Sequence, residues 1–365
     1  MGIFSNLLGK KEVKINSYSD FWNWFQTKQH QFYSAINAQE NIEKDFFNPL
    51  GEKLNELREG FFFLAGMFDE TTAELIITAD GKIENMVFIE ELIAEAPSLN
   101  NWKFTAFKPA MGIENLGISM NGHSFNWENL FFSPLESAEF PDEISVRVYH
   151  EDMTPSNEGE IRTGTFIFLD NFLGELEFAN SIDTITIEAK SSVTNETIHP
   201  IAKLKDYINW RQKEFTEKYE GTWYTLDDNE YTLFEAKLEN GDAILATINS
   251  ELLLWDAKAS HPWVSIVTIY YDGSQYNGMP SKEDYTFMDT TEDELNALLH
   301  PAQGDLNIGR ETGQDQRQLF FASKDFRNIS KVLDHFVQQY QDKFEIDLAI
   351  YKDKYWQSYA QYIRN

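Results

Sequence analysis

The chain has 365 residues, of which 42% are hydrophobic and 15% aromatic, enough for more than one core and too apolar for a disordered protein. Sixty acidic against thirty basic side chains give a formal net charge of −30; this charge disfavours nucleic acid and anionic membrane surfaces and suits a basic protein partner. Cysteine is absent, which excludes disulfides, thiolate nucleophiles and cysteine–metal sites.

The charge is unevenly placed. Residues 51–300 carry 46 acidic and 16 basic side chains, whereas each flank is balanced; a solvated acidic face serving solubility is the first reading of this excess, and a surface that meets a basic partner protein the sharper one. At the start, an apolar stretch over 1–8 precedes Lys10 and Lys11, the reverse of a secretory signal. Asn6 stands where a myristoylation pattern following Gly2 requires Ser or Thr. The Ile3, Phe4, Leu7 and Leu8 patch suits contact with a membrane or a partner, but reads rather as a frayed or docked terminus. No window approaches the length of a transmembrane helix, and the expectation is a cytoplasmic protein.

In chain order, the first elements are helical. Residues 18–36 place Phe21, Trp22, Phe25, Phe32 and Ile36 roughly on one face. Asn48–Pro49 reads as a cap followed by proline at the first helical position, with Gly60 as the stop. A hairpin over 61–68 and 74–79, a helix from Glu84 closed by Pro97, and a strand over 102–107 follow. Asn121–Gly122 between two short alternating runs is the strongest hairpin signal in the chain. Strands are expected at 130–135, 144–149 and 182–187. Residues 161–173 suit helix or buried strand by periodicity, and their length and the Gly174 stop favour helix.

Residues 190–200 are polar and end in proline, the best linker signal in the chain. An amphipathic helix with Ile201, Leu204, Ile208 and Phe215 comes next. Beyond Gly221, strands are expected at 222–226, 231–237, 243–249 and 264–271. Thr291 and Glu294 form a capping-box pattern ahead of Leu295, Leu298 and Leu299. Strands at 305–311 and 317–323, a helix carrying Ile329 to Tyr340, a strand at 344–351 and a terminal 356–362 segment close the chain.

The fold class expected is α+β. Residues 61–108 and 305–352 share the order hairpin, helix, strand, the latter portion of a ferredoxin-like βαββαβ unit. The reading is two ferredoxin-like antiparallel sheet-plus-helix domains related by internal duplication. Helices over 1–60 pack on a first domain at 61–189, residues 190–220 form a linker and connecting helix, and the second domain spans 221–365.

Chemistry is sparse. His30, His123, His150, His199, His261, His300 and His335 are dispersed without metal-ligand spacing, and read as surface or turn residues. No phosphate loop, dinucleotide fingerprint or nucleophile elbow is present. Asp227–Asp228 and Glu292–Asp293–Glu294 lack the alternating ligands and central glycine of a calcium loop; they read as a solvated turn and a helix N-terminus. Asp170 and Glu175, flanking Gly174, are the best carboxylate pair for acid–base work, against which stands a helix end with both acids facing water. Trp255 and His261–Pro262–Trp263 form an aromatic cluster beside the expected sheet. No catalytic, cofactor-binding or metal-binding residue is assigned.

Residues 221–362 resemble the bacterial domain-of-unknown-function family 695. The likeness rests on Trp263 leading a strand that ends Tyr270–Tyr271–Asp272–Gly273, on Gly278–Met279–Pro280, on the GRETGQDQRQLFF hairpin, and on DLAIYKDKYWQSY. Such domains are similar in fold to the B-type protein regulator of ribonuclease E, an acidic inhibitor. The N-terminal half resembles uncharacterised bacterial proteins through AELIITADGKIENMVFIEELIAEAPSLNNWKFTAFKPA and FLDNFLGELE. The resemblance implies no catalytic residue. Two functions are therefore expected in order. The first is a non-enzymatic binding or regulatory protein, inhibitor- or immunity-like, whose acidic and aromatic surface engages a basic protein. The second is a hydrolase with an inter-domain cleft using carboxylate or histidine chemistry.

Overall fold

The structure is a computed structural model that describes residues 14–225, 229–239 and 241–363. The N-terminal apolar patch, the end of the expected 222–226 strand and the Asp227–Asp228 pair lie outside the described residues. The chain is a mixture of helices and several sheets, an α+β protein. It divides into two compact units: the described residues up to Ala110 with Gly174–Leu176, and Met111–Leu173 with the described residues from Glu177 onward. The sheets read together as one domain over 61–189 thus belong to different units.

In the first unit, α1 (Tyr18–Ala38) begins where the Ser17 hydroxyl accepts the Asp20 N–H. Asn48 does not cap α2 (Asn48–Leu57): a π-helical turn at Glu43–Phe47 runs into it. The Asn48 N–H reaches back to Glu43 O, so Pro49, which has no N–H, follows a ladder already widened. Then come β1 (Phe62–Met67), β2 (Ala73–Thr78), α3 (Ile83–Ala94) and β3 (Trp102–Ala106). Buried Phe21, Phe25, Phe32 and Phe46 pack edge-on or tilted against neighbouring rings, among them Trp102, Phe104 and Phe63, the geometry preferred by aromatic quadrupoles.

The second unit opens with the hairpin β4 (Ile118–Met120) and β5 (His123–Phe125). Asn121 and Gly122 turn it at φ 50° and 81°, as the dipeptide predicts. Next come β6 (Leu130–Pro134), β7 (Ser145–His150), α4 (Glu158–Leu173), α5 (Glu175–Ser181, whose first two residues belong to the first unit), β8 (Thr184–Ala189), β9 (His199–Pro200) and α6 (Leu204–Tyr219). Residues 161–173 are helical, and Gly174 ends them at φ 84°. The sheet order is β8-β7-β6-β9. The stretch read as a linker is woven into this layer. Pro200 pairs with Phe131, and Ile201, Leu204 and Ile208 are buried with Phe132, Val146 and Val148 in one core. Polarity over 190–200 marked exposed turns between paired segments.

The remaining elements are β10 (Tyr231–Lys237), β11 (Ala243–Asn249), α7 (Ser250–Leu253), β12 (Trp263–Tyr270), α8 (Lys282–Leu298), β13 (Asp305–Gly313), β14 (Gln316–Ser323), α9 (Phe326–Tyr340) and β15 (Ile346–Lys352). They build a six-stranded sheet ordered β10-β11-β13-β14-β12-β15, antiparallel throughout. The capping box expected at Thr291 is not a helix start. Ser281 caps α8 ten residues earlier by accepting the Asp284 N–H, and Thr291 lies buried mid-helix, its hydroxyl turned back to Met288 O.

The two hairpin–helix–strand blocks close differently. β15 lies antiparallel to β12, whereas β3 lies parallel to β2. In the second unit β12 precedes its block and occupies the place beside β14. In the first unit only helices precede β1 among the described residues, so the strand after α3 takes the open edge of β2. The first sheet is therefore mixed, and the antiparallel ferredoxin-like plan expected for it is not what forms.

The register of β13 shifts between Asn307 and Gly309, where Gly309 sits at φ 145°. A Cβ there would lie 2.2 Å from Thr247 O. Gly309→Ala should therefore destabilise the second unit by about 2 kcal/mol or more, read as a lower urea midpoint, while Gly66→Ala, with nothing near its Cβ position, should cost far less.

Candidate interaction surface

β10 is an edge strand, bonded among the described residues only to β11. Its YTLFEAK sequence alternates. Phe234 turns to the core, with its ring 5.4 Å from Tyr362. Tyr231, Leu233, Glu235 and Lys237 are exposed, Leu233 by 62%. Opposite residues in an antiparallel pair share a face; the register places Leu233 beside Thr247 and Thr247 beside Arg310. α8 reaches that face at Arg310, which is held by Asp289 and Glu292 at 3.1 and 2.7 Å. Among the described residues no element covers the outward row of β10. Glu230, Glu235, Glu251, Asp293 and Glu294 are exposed in the surrounding elements.

At the start of β10 lies a cavity of about 220 Å³, lined by Asn229, Asn249, Asn296 and Asn307 together with Tyr224, Tyr231 and His300. The carboxamides are paired. Asn249 Nδ2 donates to Asn229 Oδ1 and Asn307 Nδ2 to Asn296 Oδ1, each at 2.6 Å. Beside it a shallower hollow of about 520 Å³ is formed by Trp223, Tyr224, Thr225, His300, Pro301 and Ala302. Trp223 is 54% exposed, and the Lys324 ammonium lies 3.8 Å from its ring centroid. His300 Nδ1 accepts the Ala302 N–H at 3.1 Å, which leaves Nε2 to carry the proton of the neutral ring. Among the described residues the cavity wall contains neither carboxylate nor ammonium; it offers hydrogen bonds and aromatic faces, the chemistry of recognition.

The acid–base candidates have other duties. Glu175 is not solvated but 3% exposed; its oxygens accept from the Thr78 hydroxyl and the backbone N–H groups of Ala79 and Lys108. Asp170 is half-buried on α4, in the other unit. His150 is buried, accepting the Asp152 N–H at Nδ1 and donating from Nε2 to Ser124 O. His123 lies 3.3 Å from Glu160, and His30, His199 and His335 are exposed. Glu292 is buried against Arg310, while Asp293 and Glu294 are exposed on α8. Among the described residues no group of three or more His, Asp or Glu gathers to hold a metal ion, and no helix is long and apolar enough to cross a membrane. The aromatic cluster is core. His261 is fully buried, 5.4 Å from Trp255, and its carbonyl accepts the Trp356 indole N–H. The exposed row of β10 carried a sequence signal, alternation with Tyr and Leu on one face, but nothing in that pattern tells which face a helix will cover.

Residues 230–363 match the model of a family of unknown function (DUF695). The match begins at β10 and takes in the whole six-stranded sheet, so the uncovered edge and most of the asparagine-lined wall belong to the matched segment. No curated protein and no solved structure matches the chain.

His261 supplies a test of the buried core. Burial, reinforced by the Lys324 charge, pushes its imidazole down to about 3, and Nε2 has no partner among the described residues. The folded state therefore takes up this proton later than the unfolded state. The stability held above pH 6.5 is lost as pH falls towards 3, at up to about 1.4 kcal/mol per pH unit. His261→Phe should flatten urea midpoints between pH 6.5 and 4.5 relative to the parent; parallel curves would show that this ring does not govern that window.

Proposed function

We propose that the chain is a non-enzymatic binding protein that holds a basic protein partner through its acidic and aromatic surface, in the manner of an inhibitor or immunity protein. The observation that carries this reading is the outward row of β10. Tyr231 and Leu233 are exposed on a sheet edge, within a stretch, residues 221–300, that carries fifteen acidic and three basic side chains. An edge strand offers unpaired backbone N–H and C=O groups to an incoming segment, the apolar row offers anchors, and the surrounding carboxylates favour cationic partners.

The order β13-β14-β12-β15 around α8 and α9 supports a ferredoxin-like βαββαβ plan for residues 263–352, and with it the likeness to an acidic ribonuclease regulator. That likeness is an analogy of fold. The hydrolytic alternative loses support because the oxygens of Glu175 are engaged by three donors of its own unit.

The test is capture from lysate at low and moderate salt, with the intact chain and with a Tyr231→Lys/Leu233→Lys double variant. A partner should bind at low salt, weaken as salt rises, and bind the double variant roughly tenfold less. Absence of any salt-sensitive partner, or equal capture by the variant, would overturn the assignment.

A further inference from the structure

The wall of a second cavity in the second unit reverses the composition of the chain. This cavity, about 320 Å³, is lined by four cations, Lys324, Arg327, Lys352 and Lys354, and by one carboxylate, Asp325. Asp325 is already engaged, capping α9 by accepting the Arg327 N–H at 2.8 Å and pairing with its guanidinium at 2.9 Å. Asn180, Ser181, Gln212 and Thr216 add neutral polar groups, and Phe215 and Trp263 supply an apolar side. In a protein with two acids for every base, such a wall is not a sample of the average surface.

We propose that this cavity binds a small phosphate-bearing anion.

The buried lysines are built into place. Lys354 is 3% exposed; its ammonium donates to Asp142 O at 2.7 Å and to Asp183 Oδ2 at 2.8 Å. The Lys352 ammonium donates to Asn180 O and lies 2.9 Å from Asp183 Oδ1. One buried carboxylate thus faces two ammoniums. Of the other acids near them, Asp142 is bonded to Lys218, Tyr219 and Tyr355, while Glu143 and Asp353 line a separate cavity of about 180 Å³ with Asp183, which Lys352 and Lys354 also border. Among its charged groups the first space is lined mostly by cations, and the second holds three carboxylates, with Lys352 and Lys354 between them.

Two of the ammoniums are held below their ordinary basicity, Lys354 between its two acceptors and Lys324 where it donates to Thr222 O beside the Trp223 ring. Burial, and then repulsion from Lys352, pushes Lys354 down to about 8, and burial also lowers Lys324. An anion in the cavity would stabilise both charged forms. The fifteen-residue helix α9 begins at the same wall, directly after Asp325, and its N-terminal dipole has the sign an anion favours. Guanidinium and ammonium donors together suit a phosphate group, and the remaining volume and the Phe215–Trp263 side leave room for a small organic group.

The full chain should be titrated by calorimetry with inorganic phosphate and with adenosine monophosphate, against sodium chloride at matched ionic strength. Saturable binding is expected, weakened roughly tenfold by Lys324→Gln and by Arg327→Gln, which spare the more buried lysines. Both variants should keep the parent circular dichroism spectrum. Tighter binding of adenosine monophosphate assigns the site to a phosphate monoester, and equal binding to the free phosphate group. No saturable heat beyond chloride, or undiminished binding in both folded variants, overturns the proposal.

Discussion

Two carboxylates hold the second unit together. Asp142, in the turn before β7, accepts hydrogen bonds from the Lys218 ammonium and from the hydroxyls of Tyr219 and Tyr355, all within 2.8 Å. Asp183, just before β8, accepts the Ile144 N–H and pairs with Lys352 and Lys354. Two of these contacts, Lys354 to Asp183 and Tyr355 to Asp142, join residues 171 and 213 positions apart in sequence, and together the set ties the four-stranded sheet and α6 to β15 and the segment beyond it. A buried charge is tolerated only when paired and hydrogen-bonded, so each partner constrains the position of the other.

That constraint explains why the polar stretch after β8 is no hinge. With Asp142 and Asp183 fastened to the C-terminal strand, the chain between them and β10 has to return along the same layer. Its apolar residues Ile201, Leu204 and Ile208 then close the core under β6 and β7. The same fastening gathers Lys352 and Lys354 beside Lys324 and Arg327, so a basic cavity forms within a strongly acidic chain. The acid excess is pushed outward, to α8, β10 and the loops, where water and salt screen it.

Elements were legible wherever local physics decided them. β10 and β11 form over the residues the alternation predicts, 231–237 and 243–249, and the Asn121–Gly122 turn forms as its residues demand. Misreadings arose where two local signals competed. Thr291 and Glu294 fit a capping box, but Ser281 and Asp284 cap the same helix earlier. Asn48–Pro49 fits a helix start, but the preceding residues were already helical. Glu175 looked like a solvated helix end, yet three donors distant in sequence bury it. Its burial depends on where β2 and the end of the Lys108 segment come to lie, and no local pattern encodes that.

The amino-acid sequence by itself determined the α+β composition, the acidity, the amphipathic faces and most of the turns, because these depend on residues within a few positions of one another. Tertiary structure alone decided which strand β3 and β15 pair with, which face of β10 stays uncovered, and which lysines share a cavity. Those outcomes depend on which sheet edge is open when a strand arrives and on where buried charges find partners. Both are set by residues well outside any local window, from 29 positions apart in the β2–β3 pair to 171 between Asp183 and Lys354, and neither leaves a periodic trace in the chain.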